Sequence, residues 1–330
     1  MKRRKIGKTD IEVSVMGLGS WAIGGGPRWG DNNDDESIFT IRAAVERGIN
    51  LIDTAPDYGA GHGECVVGKA IQGIRDQVVL TTKCGLVWDG RPGSYFFTRG
   101  GVEVRKNLSA VSIKQDVEDS LKRLNTDYID IYLTHWQSVP PYFTPVEETM
   151  GVLLELKEQG KIRAIGACNV EASHIREYLK YGRIDVVQNK YSLLDVQAED
   201  DVMPVCKENQ ITLEAYSSLE LGLLTGSIPA DYVPAPESAR NGKYWFEPRR
   251  LKLAVEMMDG WADLREKYQA TQAQLSIAAL AAKHDNVVLL CGARKMFQLE
   301  DNIRGGSLEI EREDLDRIYA DVESLICKAM

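Results

Sequence analysis

Leu51-Ile52-Asp53-Thr54-Ala55-Pro56-Asp57-Tyr58-Gly59 is the stretch on which the fold turns. The apolar run that begins at Ile49 is short and bounded by Gly48 and Pro56, as expected of a buried strand. It stops at Asp53. A carboxylate at the end of an apolar strand has lost part of its water and needs a cation or several donors. Two further runs have the same design. Val78-Val79-Leu80-Thr81-Thr82-Lys83 ends on a lysine, and Tyr128-Ile129-Asp130-Ile131-Tyr132-Leu133-Thr134-His135 ends on a histidine. Taken singly, Asp53 reads as a helix cap, Lys83 as a surface charge and His135 as a satisfied core histidine. Three successive strands that each deliver one titratable group at the same end read instead as a shared pocket, with Tyr58 beside Asp53.

Outward from these strands the pattern repeats. Residues 2 to 13 form two short alternating pieces around Gly7-Lys8-Thr9-Asp10, a β-hairpin ahead of the fold proper. Val13 to Ala22 superficially matches a dinucleotide fingerprint through Gly17, Gly19 and Ala22. A helix should open there, but Gly24-Gly25-Gly26-Pro27 follows, so the run is taken as strand one and a long loop carrying Trp21 and Trp29. Helices over about 35 to 48, from Glu64 and from Ser112 then lead to strands two, three and four. Glu147 to Gly160, Ala172 to Tyr181 and Glu199 to Asn209 alternate with strands at Ile162–Cys168, Ile184–Gln188 and Ile211–Tyr216. After an irregular stretch, 217 to 248, come helices over roughly 249 to 268 and 271 to 284. Strand eight is Val287–Leu290, and the closing helix covers 312 to 325. Eight strands each followed by helix predict an α/β fold, a (β/α)8 TIM barrel spanning 1 to 330 as a single domain. Barrel sites lie at the carboxyl ends of the strands, where Asp53, Lys83, His135, Cys168, Gln188 and Tyr216 all fall.

Composition narrows the function. A net charge of -9 argues against a nucleic-acid groove, which needs a basic face. The basic start, Met1 to Lys5, is followed by Gly7-Lys8-Thr9-Asp10 rather than an apolar segment, so no signal peptide is expected. No apolar run approaches the roughly 20 residues that span a bilayer. The six cysteines lack CxxC spacing and several sit in apolar strands, which fits a reducing cytoplasm. With four histidines and no HxH or HxxxH pair, no metal is expected.

The chain resembles the aldo-keto reductases from Gly17-Leu18-Gly19 to Asn302. The resemblance runs through Asp53 with Tyr58, Lys83 in Thr-Lys-Cys-Gly and the Ser120-Leu121-Lys122-Arg123-Leu124 helix. It continues through His135, Gly160-Lys161-Ile162-Arg163 and Gly292-Ala293-Arg294-Lys295. Gly19-Ser20-Trp21-Ala22-Ile23-Gly24-Gly25 and Thr134-His135-Trp136 look most like a bacterial branch holding general-stress reductases and a methylglyoxal reductase. The resemblance implies that Asp53, Tyr58, Lys83 and His135 are a catalytic tetrad. The chemistry agrees. Hydride reduction of a carbonyl leaves an alkoxide that needs a proton, and a tyrosine with pKa about 10 is a poor relay unless an ammonium lowers it. Tyr58 is then the acid, Lys83 its tuner, Asp53 the lysine's anchor, and His135 orients the substrate oxygen.

The resemblance also implies a nicotinamide nucleotide. Ser20, Trp21 and Asp53 lie around it, Cys168, Asn169 and Gln188 face the carboxamide, and Tyr216 stacks on the ring. Ser217, Leu219 and Gly222 cover the pyrophosphate, and Gln298, Asp301 and Asn302 lie near the adenine. Gly292 and Gln298 stand where related enzymes bind a 2'-phosphate through lysine and arginine. Arg294 and Lys295 are the nearest replacements, so NADPH is expected, with NADH open. Cys168 replaces a usual serine and Ser218 a common proline. Trp21, Trp29, Trp88 and Trp136 form the expected substrate wall, with Tyr58 and His135 at its base, suited to small aldehydes, ketoaldehydes or sugar aldehydes. Residues 217 to 248, with Arg240-Asn241, are expected to act as a lid. Two other readings stay open: an NAD-dependent sugar or alcohol dehydrogenase, and a nucleotide-binding sensor or accessory subunit. The sequence leaves the oligomeric state open.

Overall fold

The computed structural model describes residues 1–26 and 29–330. Pro27, part of the run read as a loop, lies outside the described residues. A hairpin of β1 (Arg3–Lys5) and β2 (Glu12–Ser14) opens the chain, as the alternation predicted. β3 (Met16–Gly19) runs into a 3-10 turn, Trp21–Gly24, where a dinucleotide motif would have started an α-helix. α1 (Asp34–Glu46) starts at Asn33, whose side chain accepts from the Glu36 backbone N–H, and leads to β4 (Leu51–Asp53). α2 (His62–Ile71) leads to β5 (Val79–Cys84).

Between β5 and the next helix the structure departs from the expected loop. β6 (Leu86–Val87), β7 (Ser94–Arg99) and β8 (Val102–Lys106) form a three-stranded antiparallel sheet. Its turn is Gly100-Gly101, both at positive φ, which is the backbone a two-residue hairpin demands. The rest of the chain alternates as expected. α3 (Ala110–Leu124), capped by Ser109, precedes β9 (Ile129–Thr134). α4 (Val146–Glu158) and β10 (Ile162–Cys168) follow, then α5 (Ala172–Tyr181) and β11 (Val186–Lys190).

The helix expected over 199 to 209 is two pieces, α6 (Gln197–Asp200) and α7 (Val202–Asn209). They part at Asp201, whose carboxylate accepts from Ala172 N. After β12 (Thr212–Tyr216), the expected helix over 249 to 268 is likewise divided, into α8 (Pro248–Asp259) and α9 (Ala262–Tyr268). Trp261 causes the break by turning fully inward, with its indole N–H on Asp321. α10 (Gln272–Lys283) carries a capping box from Thr271 and precedes β13 (Val287–Gly292). α11 (Met296–Gly305), absent from the sequence expectation, and α12 (Arg312–Ala329) complete the chain.

β3, β4, β5 and β9 to β13 close into an eight-stranded parallel barrel, with β13 pairing back onto β3. This is the expected (β/α)8 architecture. The barrel interior is plugged by Leu51, Val79, Ile131, Leu133, Ala164, Val186, Val288 and Leu290. Ile6, Ile11 and Val13 of the hairpin seal it from below. Among the described residues, no helix is long and apolar enough to cross a membrane.

Candidate active site

At the upper end of the same strands the inward-facing side chains become polar. Register puts Asp53 level with Thr81, and Lys83 level with Leu133. Lys83 is fully buried, and its ammonium donates to Asp53 Oδ1 at 2.6 Å, to the Thr54 carbonyl at 2.8 Å and to Tyr58 Oη at 3.3 Å. Burial opposes the ammonium, but Asp53, Tyr58 and Cys168 together outweigh it and hold Lys83 above its usual value. Burial pushes the Tyr58 phenol up, against the pull of Lys83. His135 is pushed well below its usual value by burial and by the Lys83 charge, so it is neutral. Its ring stands 6.2 Å from that of Tyr58, edge to face.

The Tyr58 loop is fixed on several sides. Gly24 and Gly59 touch backbone to backbone: a Cβ on Gly59 would lie 2.4 Å from Gly24 O, and one on Gly24 would lie 2.7 Å from Tyr58 C. Only glycine fits there. Arg99, from β7, donates to the Asp57 carbonyl at 2.8 Å and its carboxylate at 2.6 Å, so the antiparallel sheet is tied to the residue before Tyr58. The sequence reading passed over both Arg99 and Asp57. Two of the motif residues have structural partners. Arg123 pairs with Glu64, which also accepts from Thr82 beside Lys83, and Arg163 pairs with Asp130.

The residues expected around the nucleotide's nicotinamide end come together. Gln188 Nε2 donates at 2.8 Å to Asp53 and at 2.8 Å to Glu214. The amide nitrogen is the donor in both bonds, so both of its hydrogens are committed and Oε1 alone is left to face a carboxamide. Cys168 Sγ lies 3.5 Å from that oxygen, and burial pushes its thiol up to about 12. Asn169, in the left-handed region at φ 55, donates to the His135 carbonyl and accepts from Tyr216 Oη at 2.7 Å. Tyr216 is half-buried, which leaves a ring face available.

A nucleotide fits this end. The hydroxyls of Ser20 and Thr54 and His135 Nδ1 are buried without a partner among the described residues. The loop after β12 passes through Ser217, Glu220, Leu221 and Gly222 in positive-φ conformations, and Arg240 holds it by donating to Leu221 O at 2.9 Å. Arg240 also lies against Gly222, and its Nη1 donates to Tyr232 Oη at 3.3 Å. Leu219 packs beside the core, and Leu223, Leu224, Ile228, Trp245 and Phe246 anchor residues 217 to 248 on the barrel.

The adenine end is occupied differently from expectation. Arg294 donates through Nη1 to the Trp29 and Asp31 carbonyls at 3.1 and 3.2 Å. Gln298 Oε1 accepts from the backbone N–H groups of Arg294 and Lys295 at 3.0 and 3.3 Å. Asp301 accepts from Thr271, and Asn302 donates to the Gly292 carbonyl. On the substrate side, Trp21 lies 6.5 Å from Tyr58 and 5.2 Å from Trp29. Trp136 stacks at 4.9 Å with Phe96 of β7, and Lys106 sits over both rings at 4.9 and 4.4 Å. Trp88 lies under Arg99. Phe96 and Lys106 carry no signal in the sequence because their strands are partly exposed and lack a clean apolar alternation. Glu214 was missed although its signal, a lone charge in an apolar strand, is the one that revealed Asp53.

Comparison with known proteins bears on this geometry. Residues 15–322 match the model of the aldo/keto reductase family. The chain is 50% identical over 318 residues to an NADH-specific methylglyoxal reductase of Escherichia coli, covering 96% of each chain. It is 39% identical to the aldo-keto reductase YhdN of Bacillus subtilis, over 96% of this chain and 93% of that one. Among solved structures, a glycerol dehydrogenase from Gluconobacter oxydans superposes with a TM-score of 0.87 at 29% identity, over 99% of this chain and 96% of that one. A Klebsiella pneumoniae aldo/keto reductase solved with NADP and acetate gives 0.71 at 25% identity, over 96% and 95%. The chain belongs to the aldo/keto reductase family, oxidoreductases that use a nicotinamide cofactor.

Proposed function

We propose that residues 1–330 act as one domain, a cytosolic reductase of small aldehydes and ketoaldehydes such as methylglyoxal, with Tyr58 as the acid. The observation that carries this reading is the buried contact of Lys83 with Asp53 at 2.6 Å and with Tyr58 at 3.3 Å. Reduced nicotinamide, when bound, supplies the hydride. Tyr58 Oη gives its proton to the oxygen that becomes an alkoxide. A phenol held above its usual value keeps that proton until a stronger base forms beside it, and the Lys83 ammonium stabilises the phenolate left behind. Asp53 keeps Lys83 charged and in place. Neutral His135 donates a hydrogen bond that orients the carbonyl, and the Trp21, Trp29, Trp136 and Phe96 rings exclude water around it.

For the cofactor we favour NADH, against the expectation drawn from Arg294 and Lys295. Gln298 already satisfies two backbone donors that a 2'-phosphate would use, and one nitrogen of the Arg294 guanidinium is held by the Trp29 and Asp31 carbonyls. The NADH-specific E. coli relative points the same way. The test is a tryptophan-fluorescence titration with NADH and NADPH, then turnover of methylglyoxal, glyceraldehyde and, in reverse, glycerol. Tyr58→Phe should abolish turnover while nucleotide binding persists. A loss of binding as large as the loss of rate would remove Tyr58 from its role, and exclusive oxidation of glycerol would favour the dehydrogenase reading.

A further inference from the structure

The barrel holds one more inward carboxyl group than the proposed chemistry uses. Glu214 lies on β12, two residues before Tyr216, and is fully buried. Its Oε2 accepts from Gln188 Nε2 at 2.8 Å, and its Oε1 from Thr81 Oγ1 at 3.4 Å. The second hydrogen of the same amide nitrogen goes to Asp53 Oδ1 at 2.8 Å, the oxygen that receives Lys83. One side-chain amide therefore joins the carboxylate that anchors the lysine to a second carboxyl group. That second group has no ion-pair partner of its own among the described residues.

The surroundings decide what such a group does. Val288 is its register partner on β13, and with Val186 and Leu290 it belongs to the apolar plug. The charged and titratable groups that act on it are Asp53 from β4, Lys83 from β5 and Cys168 from β10, with Tyr216 two residues further along its own strand; Tyr58 and His135 act on Lys83 rather than on Glu214 itself. β3 offers glycines on this side. Asp53 and Lys83 already balance each other, so an ionised Glu214 would put an uncompensated negative charge in a dry interior. We propose that Glu214 is a positioning residue of the reductase. Holding its proton, it fixes Gln188 and through it the Asp53–Lys83 pair. Losing that proton to solvent places a second negative charge behind Lys83, which makes Tyr58 a poorer acid and slows reduction. Burial and the Asp53 charge raise the Glu214 carboxyl to about 7, which brings this change within the range of ordinary assays.

The inference rests on the role proposed for Tyr58, and the experiment separates the two. The rate of methylglyoxal reduction at saturating NADH is followed from pH 5.5 to 9 for wild type, Glu214→Gln and Glu214→Leu. Wild type should show a one-proton decline near pH 7 that levels off at the lower rate of the ionised form. Glu214→Gln keeps the amide bridge but cannot ionise, and its profile should lose that bend. Glu214→Leu removes the bridge and should lower the rate at every pH. If it fails to fold, the glutamine profile decides alone. The same bend in Glu214→Gln, or no bend in wild type, overturns the proposal. Should Tyr58→Phe remain active, the reading of the site fails. If Tyr58→Phe is inactive while Glu214→Gln keeps the bend, only the Glu214 role fails.

Discussion

The lower and upper halves of the barrel interior are built by the same strands and do opposite work. Below, Leu51, Val79, Ile131 and Val186 interdigitate with the sealing hairpin and carry no polar side chain. One inward position further along, those strands present Asp53, Thr81 and Gln188, and β5 continues to Lys83. The lower half gains its stability by removing apolar surface from water and tolerates chemistry poorly. The upper half spends stability on buried charge. Its groups survive because nearly every polar atom has a partner, and of the exceptions among the described residues those at Ser20 and His135 lie where a cofactor and substrate are expected.

The sharpest way to break this contrast is at Lys83. Lys83→Met leaves Asp53 buried with only Gln188 as a partner, so both halves of the comparison should fail together. Turnover should be lost, and stability should fall by about 3–5 kcal/mol, read by denaturant unfolding at neutral pH. A fully stable Lys83→Met would mean that the upper half pays no electrostatic cost. Next in size is Leu51→Ala, one inward position below Asp53. Deleting a buried leucine side chain costs about 2–5 kcal/mol, while the rate per folded molecule should change little. Loss of rate with intact stability would show that the plug supports the site directly.

A smaller effect should appear on the stability of Glu214→Gln as pH is raised. The carboxyl titrates at about 7 in the fold against the ordinary 4.5. Below about pH 4.5 both states carry the proton and the group contributes nothing. As pH rises from there towards 7 the unfolded chain gains charge that the fold resists, so wild type loses stability, and above 7 the loss is complete. Glu214→Gln should therefore match wild type near pH 4.5 and exceed it at pH 8. An unchanged difference across that window would mean that Glu214 does not titrate in the fold. The smallest change is expected at the far end of the nucleotide site. Arg294→Ala should alter NADH and NADPH affinity alike and only a few-fold, because Nη1 of the guanidinium is tied to the Trp29 and Asp31 carbonyls. A selective loss of NADPH binding would restore the phosphate role.

Much of the architecture was legible because apolar runs of strand length alternate with amphipathic helices, a local pattern that survives without tertiary information. The β6–β8 sheet was not read, although Gly100-Gly101 marks its turn, because its strands are partly exposed and lack a clean apolar alternation. The breaks between α6 and α7 and between α8 and α9 were invisible for another reason. Each depends on a partner distant along the chain, Ala172 for Asp201 and Asp321 for Trp261.

The sequence by itself determined that this chain is an alternating α/β barrel and that Asp53, Lys83 and His135 end successive strands. A charge that terminates an apolar run needs no distant partner to be recognised. Only the tertiary structure decided what those groups touch. Closing β13 onto β3 brings residues far apart in the chain within hydrogen-bond reach, so that the Gln188 amide is divided between Asp53 and Glu214 and the Arg294 guanidinium is taken by the Trp29 loop. Hydrogen bonds act over about 3 Å, and only the folded chain sets which groups come that close.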